Sequence, residues 1–254
     1  MNAIDRALGS GAASLLTLVL VAVPAAGQVP PATVAARPAA AAEPTPIPIG
    51  TTTVELPEPR HTSGTSLEEA LIGRMATQQF AAAPVTRAEV SQLLWAAQGI
   101  TEKKSGRRAA PSAGGLFPLE VILVAANVTG LPPAVYRYRP ATNDLVRIAE
   151  GDRRPAIAEA CHFPPLADAP AIFVFTGVLA RTAKAYGSQA PKLIAIEAGA
   201  ATQDLSLEAT ALDLGCAMLV GFELPKLQSA IAVESGEIPF AVLAVTRPEP
   251  QAAH

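Results

Sequence analysis

Four apolar runs of five or six residues, at 121–125, 171–176, 216–220 and 240–245, set the frame of this chain. Each is too short for a helix buried on all sides and reads as a strand covered on both faces. A sheet of such strands needs a helical layer above and another below it. The intervening segments supply helical patterns. Ser66 followed by Glu69 forms a capping box that opens a helix with Leu67, Leu71 and Ile72 on one face. Thr86 caps a second helix, in which Val90, Leu93, Leu94 and Ala97 recur at helical spacing before Gly99 stops it. Further helices are expected over 156–161, 191–214 (ended by Gly215) and 224–232. Residues 136–140 and 144–148 alternate around Ala141-Thr142-Asn143 and read as a hairpin. Helices and strands alternate without a regular βαβ repeat, which predicts an α+β sandwich: a central, mostly antiparallel sheet flanked by helices.

The front of the chain has a different character. Residues 1–27 carry one basic side chain, Arg6, then an apolar core at 13–23 and small residues behind it. A core of eleven residues is short of the roughly 20 needed to span a bilayer, so a cleaved secretory signal is expected rather than an anchor. Residues 28–62 contain Pro30, Pro31, Pro38, Pro44, Pro46, Pro48, Pro57 and Pro59, and read as a disordered tether. The globular domain is expected over 63–248, with 249–254 as a tail. The expected location is outside the cytoplasm, periplasmic or extracellular.

Charge and composition exclude several functions. A net charge of -3 offers no basic surplus for phosphates of nucleic acid, and aromatics at 4% offer few stacking platforms. Cys161 and Cys216 form no C-x-x-C, and His61, His162 and His254 lie far apart, so no metal site is expected. Ser112 lacks a Gly two residues before it and is no nucleophile elbow. No catalytic side chain is predicted. Trp95 reads as a helix-packing aromatic, and Glu197 and Gln203 as polar positions at a subunit interface. A disulfide between the two cysteines is left open.

Three ordered blocks carry a resemblance. The first is Leu93-Leu-Trp-Ala-Ala-Gln-Gly-Ile100 with Arg108-Ala-Ala-Pro-Ser-Ala-Gly-Gly-Leu-Phe-Pro-Leu-Glu-Val121. The second is Glu197-Ala-Gly-Ala-Ala-Thr-Gln-Asp-Leu205, continuing to Gly215, and the third is Gly221-Phe222 with Val245-Thr-Arg-Pro248. Together they resemble the nitroreductase superfamily of FMN-dependent oxidoreductases. The Leu-Pro-Pro-Ala-Val-Tyr-Arg-Tyr stretch ending at Tyr138 places the resemblance nearest the SagB-type branch. It implies a homodimer, with the long helix between subunits, that binds FMN. It also implies hydride transfer from a donor such as NAD(P)H to a small electrophilic acceptor. Pro111, Ser112, Ala113 and Gly114 match the family's cofactor loop, which acts across the dimer interface. Val220 and Gly221 match the turn near the flavin N5, and Arg74, Arg108 and Arg247 are the cations available to the phosphate.

The chain departs from the family in two places. Met75, Ala76 and Gln78 stand where relatives place a basic residue, a Ser and another basic residue. Lys192-Leu193 replaces the Lys-Tyr of azoline-oxidising members. The alternative expectation is therefore a nitroreductase-like scaffold, exported, that has lost FMN and serves as a binding or structural protein.

Overall fold

The computed structural model describes residues 52–81, 83–233 and 235–248. The strands are β1 Thr53–Glu55, β2 Val85–Thr86, β3 Ile100–Glu102, β4 Arg107–Arg108, β5 Leu119–Ala125, β6 Val128–Thr129, β7 Ala134–Arg139, β8 Asp144–Glu150, β9 Ala171–Val178, β10 Gly215–Leu219 and β11 Glu237–Thr246. The helices are α1 Leu67–Gly73, α2 Arg87–Gln98, α3 Arg154–Ala160, α4 Leu179–Tyr186, α5 Ala190–Ala211 and α6 Leu224–Ile231. Seven strands form one sheet in the order β1-β8-β7-β5-β9-β11-β10, antiparallel at every pairing. β2 pairs with β6, and β3 with β4, in two small separate sheets.

The apolar runs work as strand periodicity requires, with successive side chains on opposite faces. Val121, Leu123, Phe173, Phe175, Leu243 and Val245 face one way and pack with Leu93, Leu94, Ile194 and Leu205 of α2 and α5. Ile122, Val124, Ile172, Val174, Val242 and Ala244 face the other way and pack with Ile157, Leu166, Leu227 and Ile231. The two layers also separate the cysteines. Cys216 belongs to the first core and Cys161 to the second, and both are free and buried.

Several expectations are corrected. The last part of the predicted tether is a structured strap. β1 pairs with β8 in the register Thr53↔Val146, and Leu56 is buried. The Pro57 carbonyl accepts from Ser91 Oγ at 2.5 Å, and the Gln92 amide bonds both the N–H (2.7 Å) and the carbonyl (3.1 Å) of Arg60. Proline removes a donor but leaves its carbonyl to accept, and Thr52-Thr53-Val54 is β-forming whatever follows it. The rest of that segment, the signal and the tail lie outside the described residues.

α1 and its capping box form as expected, but Leu67, Leu71 and Ile72 are exposed, Ile72 at 84%. The α5 pattern stops at Ala211. Asp213 turns the chain at φ 57°, and Gly215 already belongs to β10. Gly99 ends α2 in extended backbone, where a Cβ would come within 2.3 Å of Trp95 Cδ1; its lack of side chain is what matters there. Trp95 stacks on His61 of the strap with ring centroids 5.3 Å apart. Helix α4 was not anticipated.

Candidate cofactor site

The loop of residues 111–117 joins β4 to β5. Gly114 and Gly115 adopt φ of 63° and 65°, the left-handed region where a Cβ is strained. A Cβ on Gly114 would also sit 3.0 Å from the Tyr186 hydroxyl of α4. The Gly115 N–H bonds the Ser112 carbonyl at 3.0 Å, and the Phe117 N–H donates to Ser112 Oγ at 2.9 Å. The loop is thus closed by its own backbone and by the Ser112 hydroxyl. Pro111 and Gly114 are exposed, and Ser112 and Ala113 half-buried.

Polar groups collect beneath it. Arg108 Nη1 donates to Gln98 Oε1 at 2.5 Å, and the guanidinium lies 4.6 Å from the centre of the Phe117 ring. Glu197 of α5 is 2% exposed. Its carboxyl is raised to about 7 by burial, against the Ser112 hydroxyl and the Arg108 charge, which lower it. Gln98 Nε2, Arg108 Nε and Glu197 Oε1 are buried without a hydrogen-bond partner. Buried donors and acceptors that the protein leaves unpartnered call for a partner such as a water or a polar ligand. Glu197, expected at a subunit surface, is instead enclosed within one chain. Gln98 and Phe117 escaped the sequence reading, although Gln98 is a polar residue inside the quoted Trp-Ala-Ala-Gln-Gly block.

Beside this chamber runs an ion network that was also not anticipated. Glu120 bonds Arg181 at 2.5 Å and Arg137 at 3.4 Å. Arg137 reaches Glu237 at 2.8 Å, and Glu237 accepts from Thr176 Oγ1. These groups bond one another, with Arg181 Nε left buried and unpartnered, and link α4 to β5, β7, β9 and β11.

The remaining predicted residues lie elsewhere. Arg74 follows α1, and the chain then runs along β10. Ala76 bridges Cys216 in parallel, and the Thr77 N–H bonds the Cys216 carbonyl at 2.9 Å. Arg74 makes no ion pair among the described residues, and its charge reaches Cys216. Arg247 follows β11 and is engaged, with Nη2 2.7 Å from Glu89 Oε1. Burial alone would raise Glu89, but the Thr86 N–H and Arg247 hold it below the ordinary carboxylate range. Val220 and Gly221 follow β10, the edge strand, and both are exposed; a Cβ on Gly221 would meet nothing within 4 Å.

One chain therefore holds two groups. The level of Leu119 and Gly177, from which the Ser112 loop rises, matches Ile238 of β11, and Cys216 beside the Arg74 segment matches Val245. On the unbulged β9 those levels are six residues apart, Gly177 to Ala171, about 20 Å along the sheet at roughly 3.3 Å per residue.

Comparison with known proteins agrees with this architecture. A model of the nitroreductase family matches residues 71–246. A protein of Methanocaldococcus jannaschii that bears a nitroreductase name is 30% identical over 182 residues, covering 71% of this chain and 90% of that protein. Among solved structures, a Ralstonia eutropha protein also named as a nitroreductase aligns with a TM-score of 0.69 at 24% identity, covering 83% of this chain and 97% of that one. An NADPH:FMN oxidoreductase from Vibrio harveyi, complexed with NAD+, shares the fold at a TM-score of 0.53 and 14% identity, covering 72% and 69%. The antiparallel sheet, its two helical layers and the matched span together establish that this chain belongs to the nitroreductase family.

Proposed function

We propose that the protein is an FMN-dependent oxidoreductase of SagB-like type, passing hydride from a reduced donor such as NAD(P)H to a small electrophilic acceptor. The observation that carries this is the β10 edge. From Cys216 near its start to Gly221 just beyond its end is five residues, about 16 Å, and Arg74, which makes no ion pair among the described residues, lies at the Cys216 end. Along it Met218 and Val220 are 53% and 67% exposed. A cation, an apolar margin and an open backbone position suit a phosphate, a flat ring and a close backbone contact. When bound, the flavin supplies the atom that takes and gives hydride. The protein's own part is to bind and orient. Arg74 holds the phosphate, Val220 and Gly221 offer the backbone beside the ring, and the Ser112 loop closes over it.

The Ser112 loop and the Arg74 segment stand at levels about 20 Å apart along the sheet of one chain. We therefore propose a homodimer in which each site takes Arg74 from one copy and Pro111, Ser112, Ala113 and Gly114 from the other. Leu67, Leu71, Ile72, Met75 and Ile196 are exposed, and supply apolar surface for that contact. Arg108, under the same loop, would add positive charge.

The test is titration of the full chain with FMN, followed by quenching of flavin fluorescence. Wild type should bind, and Arg74→Ala should weaken binding about tenfold or more, the loss of one charge-assisted contact. No binding by wild type at high micromolar FMN would replace this reading with the scaffold one. Met75, Ala76 and Gln78, together with the engagement of Arg247 by Glu89, are what favour that second reading.

We also propose that residues 1–27 direct export and are removed. Mass spectrometry of the protein from its native host should find an N-terminus near Gln28, and a chain still beginning at Met1 would overturn this. Among the described residues no helix is long and apolar enough to cross a membrane.

A further inference from the structure

Glu197 is a buried carboxyl that the proposed hydride transfer does not use. It lies on α5 beneath the 111–117 loop, with Oε1 unpartnered and the Ser112 hydroxyl acting on it. Ser112 Oγ already accepts the Phe117 N–H at 2.9 Å. One lone pair and the hydroxyl proton remain to it. How these are directed depends on the neighbour. An ionised carboxylate can only accept, so it draws the Ser112 proton inward and leaves a lone pair facing out of the loop. A protonated carboxyl can donate into Ser112 Oγ, which frees the hydroxyl proton to point outward.

We propose that Glu197 is a positioning residue that sets the hydrogen-bond polarity of Ser112, so that the loop offers a donor outward while Glu197 holds a proton and an acceptor once it has lost it. The proposal rests on the flavin reading above. Flavin carbonyl oxygens, unprotonated ring nitrogens and phosphate oxygens are acceptors, and any of these set against Ser112 favours the protonated state of Glu197.

The surroundings suit such a switch. Burial holds the proton on Glu197 up to about 7, within the neutral range. Arg108 of β4 is the charge acting on it and opposes that rise, but no ion pair between the two forms among the described residues. Arg108 is itself influenced by Glu120 of β5 and Arg181 of α4, which are bonded to each other at 2.5 Å. Thr182 of α4 is buried, with its hydroxyl unpartnered, while Lys184 of α4 and Lys192 in the first turn of α5 are exposed to solvent.

The test uses the full chain and FMN as probe, from about pH 6 to about pH 8.5, bracketing a carboxyl near 7. Wild-type Kd should rise with pH about five- to tenfold, the worth of one hydrogen bond. Glu197→Gln, whose amide donates at every pH, should stay at the tight end and keep only the slope of the FMN phosphate, which both proteins share. Ser112→Ala leaves the core intact and should bind more weakly, without the Glu197-dependent component. A readout free of cofactor is thermal unfolding over the same range, where wild type should lose more stability than Glu197→Gln as pH rises. FMN binding with the same pH profile in wild type, Glu197→Gln and Ser112→Ala would overturn the proposal and leave the flavin reading standing. Absence of FMN binding in all three at every pH would remove the flavin reading and this proposal with it.

Discussion

Two positions show how single residues in this fold are fixed by backbone or by charge. Gly114 sits at φ 63° beneath the Tyr186 hydroxyl. Gly114→Ala should cost about 1–2 kcal/mol from the left-handed conformation alone, before Tyr186 moves aside; denaturant unfolding measures it, and an unchanged midpoint would mean that the loop relaxes freely. The segment proposed to hold the phosphate makes the opposite case. Ala76 and Gln78 lie on the strand-like stretch beside β10, both exposed. Ala76→Ser with Gln78→Arg returns a hydroxyl and a guanidinium near Arg74, and FMN affinity should rise at least tenfold at about 1–3 kcal/mol per recovered contact. The Glu197 carboxyl also has a stability consequence. Its folded value, about 7, lies above the ordinary 4.5, so its contribution is complete below about pH 4.5 and is lost as pH rises through 7. Asp204, raised to about 6 by burial, adds to the lower part of that window and remains in Glu197→Gln.

At the scale of elements, what was legible in the sequence followed periodicity. The runs at 121–125, 171–176, 216–220 and 240–245 became β5, β9, β10 and β11 because only strands can bury alternating sides on two helical layers. The capping boxes at Ser66 and Thr86 formed because each needs only residues three apart. What failed was non-local or was masked by a louder signal. The Pro57 and Pro59 context hid β1, whose hydrogen bonds come from β8 some 90 residues away. Helix α4 begins directly from β9, without a capping side chain to announce it. The Glu120–Arg181–Arg137–Glu237 network joins residues up to 117 positions apart, which no local pattern reveals. In the candidate site, the Ser112 loop was singled out through its resemblance, whereas the burial of Glu197 beneath it was a product of packing. The strap yields its own prediction. Leu56→Ala removes a buried side chain that anchors β1, and should destabilise by about 2–3 kcal/mol, the low end for a core leucine near the surface. Loss of less than about 0.5 kcal/mol in chemical unfolding would show that the strap is not part of the cooperative core.

The whole molecule poses the question of how a site can be assembled from groups at levels about 20 Å apart along one sheet. Flexing is not expected to close that gap, because both groups are tied to the same sheet: the Ser112 loop leads into β5, and Arg74 lies two residues before the Ala76–Cys216 bridge to β10. A two-fold axis can. In the proposed dimer it would place the loop of one copy against the β10 edge of the other and repeat the arrangement in reverse, giving two equivalent sites. This predicts complementation between two defective proteins. Arg74→Ala and Ser112→Ala each damage both sites of their own homodimers. A mixed dimer has one site with both defects and one with none, since its intact Arg74 and intact Ser112 come from different copies. Random pairing on co-expression makes about half of the dimers mixed, so about a quarter of all sites should bind FMN as tightly as wild type. Fluorescence titration of the co-expressed protein should then show a tight fraction of that size, absent from either variant alone and from the two mixed after purification without exchange of subunits. If co-expression yields no tight fraction while light scattering reports dimers, each site belongs to one chain. If light scattering reports monomers at micromolar concentration, the two-copy site fails outright.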